Sequence, residues 1–175
     1  EEETIVCAGG KQALFNAAMA LFEAGDEVIT HVPGWPTIAE QIKLTGAEPI
    51  LVRTYPEDRF QLKADDVLGA MSARTKAIIL NSPCNPTGAL ISPETLQIIA
   101  EQTAAQNVWL ILDLCYERLI YQPEGQFLPS LLNKVARDRS VLVGSLSKTY
   151  AMTGWRCGWA LGPASLIRAV NAIQS

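Results

Sequence analysis

The sequence predicts an α/β domain built on a mainly parallel sheet. Two observations carry this. Short apolar runs of strand length alternate with longer amphipathic stretches along all 175 residues. The residues with chemical potential also collect just after the apolar runs, where ligands sit in open α/β sheets.

The elements follow in chain order. Seven runs read as strands: Ile5–Cys7, Glu27–His31, Pro49–Arg53, Ala77–Asn81, Val108–Asp113, Val141–Ser145 and Cys157–Leu161. Between the first two, Lys11 to Ala24 places Leu14, Ala17, Ala18 and Leu21 on one face, and the pattern predicts a helix ending at Gly25. Shorter helices are expected over Ile38 to Thr45 and Ala64 to Ser72. Ser92-Pro93-Glu94 combines an N-cap hydroxyl with proline at the first helical position, which opens a helix to about Gln106. No repeat, low-complexity tract or linker interrupts the series. Residue 1 is not Met, Thr4-Ile5-Val6-Cys7 already reads as a strand, and Ala164 to Ser175 reads as a helix cut off midway. The chain is therefore expected to be a segment of a longer protein.

Composition narrows the function. Apolar residues make up 49% and charged residues 18%, which suits a sizeable core. A net charge of −4 without any basic stripe argues against a nucleic-acid partner. Apolar runs such as Val108–Leu112 end quickly in a charge, so no membrane span is expected. Cys7, Cys84, Cys115 and Cys157 are scattered and His31 is the single histidine, so the plain reading is reduced, buried thiols in a cytoplasmic protein without a zinc site.

Four places after strands stand out. Gly9-Gly10 leads into a helix, where unpaired N–H groups and the positive dipole end would bind a phosphate, although a tight turn alone explains a glycine pair. Neither the dinucleotide fingerprint nor the P-loop pattern is present. In Asn81-Ser-Pro-Cys-Asn-Pro-Thr-Gly88 the prolines stiffen the loop and would hold the Asn85 amide in place; ordinary turn chemistry explains the same residues. Asp113 ends an apolar strand, and a carboxylate buried there needs a cation, unless it anchors a loop. Tyr116 follows three residues later. Lys43, Lys63, Lys76 and Lys134 sit in polar surroundings, whereas Lys148 is flanked by apolar and aromatic residues. A partly desolvated amine there would have a lowered pKa and be nucleophilic, although a lone lysine is usually a surface residue.

Taken together, these residues resemble the fold-type I pyridoxal 5′-phosphate (PLP) enzymes and, within them, the aspartate aminotransferase-like class I aminotransferases. The resemblance runs from Thr4 to Ser175 and is most specific in Asn81–Gly88 and in Ser145-Leu-Ser-Lys-Thr-Tyr-Ala-Met-Thr-Gly-Trp-Arg156, with Asp113-x-x-Tyr116 between them. It implies a mainly parallel seven-stranded sheet with helices on both faces, the PLP-binding large domain. It also implies that an N-terminal segment and a small C-terminal domain, which carries the arginine for the substrate α-carboxylate, lie outside this chain.

Residue by residue, the resemblance implies that Lys148 forms the aldimine with the cofactor and shuttles the proton of the substrate α-carbon. Asp113 partners the pyridine nitrogen, and Tyr116 and Asn85 hydrogen-bond the 3′-oxygen. Gly10, Lys11, Ser145 and Arg156 match the phosphate cradle, with Gly9 and Ser147 as further candidates. Trp35 stacks on the ring, while Gly34 departs from the aromatic often found before it. Trp35 and Asn85 are also the substrate-binding candidates. The implied activity is transfer of an amino group between an α-amino acid and a 2-oxo acid by a homodimer. Two alternatives stay open: a C–S lyase or synthase on the same scaffold, and an aminotransferase-like effector domain of a transcriptional regulator.

Overall fold

The computed structural model describes residues 2–121 and 136–175. Lys134 lies outside the described residues. Seven strands form one sheet: β1 (Thr4–Cys7), β2 (Glu27–Val32), β3 (Glu48–Arg53), β4 (Thr75–Asn81), β5 (Trp109–Asp113), β6 (Ser140–Ser145) and β7 (Gly158–Leu161). Their order across the sheet is β1-β7-β6-β5-β4-β2-β3. The pairs β6–β5, β5–β4, β4–β2 and β2–β3 are parallel. β7 runs antiparallel to both β6 and β1, so β1 points the same way as β6. The expected mainly parallel, seven-stranded sheet is observed.

Helices cover both faces, because the central strands are apolar on both. Ala77 and Ile79 of β4 and Trp109 and Ile111 of β5 face one core. That core is closed by α1 (Gly10–Leu21), α2 (Pro36–Leu44) and the last helix, α6 (Ala164–Gln174). Ile78, Leu80, Leu110 and Leu112 face the other, closed by α3 (Ala64–Gly69) and α4 (Pro93–Ala105). All five residues of β5 are buried, the mark of a strand covered on both sides. Among the described residues the remaining α-helix, α5 (Leu146–Thr149), is a single turn directly after β6.

α2 opens at Pro36, ahead of the expected Ile38, and two helices end earlier than expected. α1 stops at Leu21 and not at Gly25, because Phe22 turns to extended backbone (φ −113°) and buries its ring in the core. Gly25 (φ +99°) serves the turn into β2 instead. α3 ends at Gly69, short of Ser72. The Ser72 N–H is taken by Thr75 Oγ1 at 2.8 Å, and its hydroxyl by the buried Glu27 carboxylate at 2.5 Å. α4 begins as expected, with Ser92 Oγ accepting the Thr95 N–H at 3.1 Å. Among the described residues no helix is long and apolar enough to cross a membrane.

Candidate active site

The parallel strands and β1 all end on one edge of the sheet, and the polar ends of β4, β5 and β6 meet there. A cleft of about 260 Å³ opens at this edge. Its lining includes the candidates Gly10, Lys11, Trp35, Asn85, Asp113, Tyr116, Ser145, Lys148 and Arg156 and, of the two further phosphate candidates, Ser147 but not Gly9. Three more line it: Asn81, Cys115 and Thr153.

Asp113 forms the floor. It is the last residue of β5, 2% exposed, and its Oδ1 accepts the Cys115 N–H at 3.0 Å. Burial pushes its carboxyl above the usual range, and the hydrogen bonds from Cys115 only partly oppose this. Among the described residues no Lys, Arg or His pairs with it. Cys115 Sγ lies beside Gly10, where a Cβ would approach it to 2.8 Å. Its thiol is held far above its ordinary value, first by burial and then by the Asp113 charge. Cys7 and Cys84 are buried, as expected for reduced thiols, but Cys115 and Cys157 are only half-buried. The first borders the cleft, and the second precedes β7.

One wall is the start of α1. Gly9 adopts φ +87°, open to glycine but strained for other residues. The Gly10 and Lys11 N–H groups open the helix and have no acceptor within it. No acidic residue stands in the first turn. A Cβ on Gly9 would collide with the Arg156 guanidinium, and one on Gly158 with the backbone of Gly9 and Gly10. The approach is therefore closed to any residue larger than glycine at either position.

The opposite wall is the β6–α5 corner. Ser145 caps α5, its Oγ accepting the Ser147 N–H at 3.1 Å. One turn on, Lys148 reaches the cleft but is exposed. The desolvation expected from its apolar neighbours is not supplied by the described residues, because Tyr150 and Ala151 are exposed too and do not cover the amine. Arg156 adopts left-handed backbone (φ +51°), which turns its side chain back across the cleft. Its guanidinium donates to Thr153 O at 2.9 Å, Ala8 O at 3.3 Å and Ser147 Oγ at 3.4 Å, and so ties this corner to the start of α1.

Asn85 and Tyr116 are brought together: Asn85 Nδ2 donates to the Tyr116 hydroxyl at 3.3 Å. Burial is the main cause that raises the Tyr116 phenol. Asn81 sets the loop, its Oδ1 accepting the Asn85 N–H at 2.8 Å and its Nδ2 donating to Asp113 O at 3.1 Å. Trp35 caps β2's side of the cleft, with Lys11 Nζ 5.8 Å from its ring centroid. Gly34 has a local reason for departing from an aromatic, since a Cβ there would lie 2.5 Å from the His31 carbonyl oxygen.

Electrostatically the cleft holds three cations, Lys11, Lys148 and Arg156, against one carboxylate, Asp113, at the floor. It suits a ligand with an anionic group at the α1 end and a protonated ring nitrogen at the floor. The missed residues left different traces. Asn81 opens the Asn81–Gly88 loop and Cys115 stands inside Asp113-x-x-Tyr116, but neither residue type announces a role. Thr153 enters only because its carbonyl orients Arg156.

Comparison with known proteins finds similarity over nearly the whole chain. A family model described as aminotransferase class I and II matches residues 1–175. The aspartate/prephenate aminotransferase of Thermus thermophilus is 41% identical over 174 residues, which cover 99% of this chain and 44% of that protein. The aspartate aminotransferase of Geobacillus stearothermophilus is 36% identical over 173 residues, again 99% and 44%. A solved aspartate aminotransferase from Thermus thermophilus with maleate superposes with a TM-score of 0.92 at 40% identity, covering 98% of this chain and 44% of that one. The aspartate aminotransferase from Rhizobium meliloti superposes with a TM-score of 0.93 at 37% identity, covering 99% and 44%. The chain thus spans less than half the length of the relatives it matches.

Proposed function

Since this chain belongs to the class I and II aminotransferase family, we propose that it is the PLP-binding large domain of an aminotransferase. The activity is transfer of an amino group between an α-amino acid and a 2-oxo acid. The observation that carries this reading is the pairing of Asp113, a buried carboxylate without a cation among the described residues, with a cationic, glycine-lined cradle across the same cleft.

The residues fit the cofactor group by group. Gly10 and Lys11 N–H groups, the Ser145 and Ser147 hydroxyls and Arg156 would hold a phosphate. Asp113 would keep a proton on the ring nitrogen, and Asn85 with Tyr116 would meet the 3′-oxygen. Trp35 would cover one ring face and keep water from it. When bound, PLP supplies an electron-withdrawing ring that stabilises negative charge at the substrate α-carbon. Lys148 Nζ would hold the cofactor covalently and, once displaced by the substrate amine, take the proton from the α-carbon. Trp35 and Asn85 would also border the substrate.

The cytoplasm and a homodimeric assembly belong to the same proposal. Four unpaired cysteines support the first. Exposed Tyr150 and Trp155, which flank Lys148 and Arg156 in the chain, support the second.

The test is borohydride reduction of the complete protein with PLP, followed by peptide mapping, beside an assay of 2-oxo acid-dependent turnover of aspartate and other amino acids. The pyridoxyl mass is expected on the Lys148 peptide, with turnover lost in Lys148→Ala. Label on another lysine would overturn the site. Elimination products without any need for a 2-oxo acid would overturn the aminotransferase reading in favour of a lyase.

A further inference from the structure

His31 is the only histidine in the sequence, and none of the roles above uses it. It stands near the C-terminal end of β2 and is 6% exposed. The β2–β4 pairing reaches only Thr30 and Ile79, so the Asn81 N–H lies beyond the ladder. His31 Nε2 receives it at 3.2 Å, and the imidazole thereby takes the place of a strand carbonyl. A backbone amide can only donate, so Nε2 is the acceptor and the ring carries its proton on Nδ1. Nδ1 lies 4.0 Å from Cys84 Sγ. Burial favours the same neutral ring.

Asn81 passes this constraint into the cleft. Its side chain grips the Asp113 carbonyl and the Asn85 N–H, and Asn85 in turn grips Tyr116. We propose that His31 is a positioning residue whose Nε2 fixes Asn81, and through Asn81 holds the Asn85–Tyr116 pair where both side chains can reach the cofactor. This inference rests on the functional reading above. A ring that merely filled space would be replaceable by any side chain of similar size; a positioning acceptor would not.

The complete protein is compared as wild type, His31→Phe and His31→Gln. Phenylalanine fills the space without an acceptor, whereas the glutamine amide oxygen can take the place of Nε2. The readouts are the pH midpoint of the visible absorption of bound PLP and its dissociation constant by equilibrium dialysis. Hydrogen bonds to the 3′-oxygen favour its anion. Loosening them in His31→Phe is expected to raise the midpoint by roughly half to one pH unit, the worth of one hydrogen bond. His31→Gln is expected to restore it. Adding Asn85→Ala to His31→Phe is expected to give no larger shift than Asn85→Ala alone, since both act through one contact.

An unchanged midpoint in His31→Phe, an equal shift in His31→Gln, or additive shifts would overturn the proposal. A wild-type protein that shows no visible band with PLP would instead overturn the functional reading itself. If His31→Phe does not fold, ¹⁵N-histidine NMR decides on the wild type, with the signal missing from His31→Gln giving the assignment. A proton on Nδ1 supports the proposal, and a proton on Nε2 overturns it.

Discussion

Asp113→Asn is expected to change cofactor binding and cofactor-free stability in opposite directions. In the folded chain the Asp113 carboxyl is 2% exposed and burial raises its pKa, with no cation paired to it among the described residues. A folded pKa above the unfolded value means the native state holds the proton to higher pH. Stability is then greatest below the unfolded pKa of about 3.9 and falls as pH rises through the folded value. Asparagine does not ionise, and its Oδ1 can still accept the Cys115 N–H. Without PLP, Asp113→Asn should therefore be more stable than wild type at pH 8, by on the order of 1 kcal/mol. That advantage should shrink as pH falls toward about 4. With PLP the order reverses. One charge-assisted hydrogen bond to the ring nitrogen is worth about 1.5–3 kcal/mol, so affinity should drop roughly 10- to 150-fold. Urea unfolding of the stripped protein at several pH values, beside equilibrium dialysis with PLP, reads both effects. An Asn variant that binds PLP within about threefold of wild type, which is well under 1 kcal/mol, would refute the placement of the ring nitrogen. One that is less stable than wild type at pH 8 without PLP would refute the burial argument.

Two further substitutions test the cradle and the scaffold separately. Gly158→Ala drives a Cβ into the backbone of Gly9 and Gly10 and to 2.8 Å from the Gly144 carbonyl oxygen. Overpacking of this kind costs about 1–3 kcal/mol; PLP and inorganic phosphate should both bind at least tenfold more weakly in dialysis, and unchanged binding would exclude a phosphate at this turn. Ser92→Ala removes the N-cap acceptor of α4 and should cost about 1 kcal/mol in urea unfolding. It should leave PLP affinity unchanged, because Ser92 does not line the cleft.

Much of the fold was legible because the patterning is strict. Ala77–Leu80 and Leu110–Leu112 are short continuous apolar runs, the local sequence mark of strands buried on both faces. The start of α4 was equally plain, since Ser92 and Pro93 act through neighbouring backbone. Helix ends were less legible. The α1 pattern continues to Ala24, but Phe22 finds a better place in the core than on the helix, and that gain exists only once the sheet is formed.

The sequence by itself determined the alternating strands and helices and the chemistry gathered after the strands. Each of these depends on residue type and short spacing. Tertiary structure alone decided how those residues act on one another. Arg156 meets Ala8 from 148 residues away, and it does so because left-handed backbone at Arg156 aims the side chain across the β6–α5 corner. His31 reaches the Asn81 N–H because β2 leaves its ladder with β4 just before that point. Lys148 stays exposed because the residues beside it in the chain do not fold over it. Strand order, register and backbone hand set these relations, and contacts between residues 50 to 150 positions apart leave no periodic trace in the sequence.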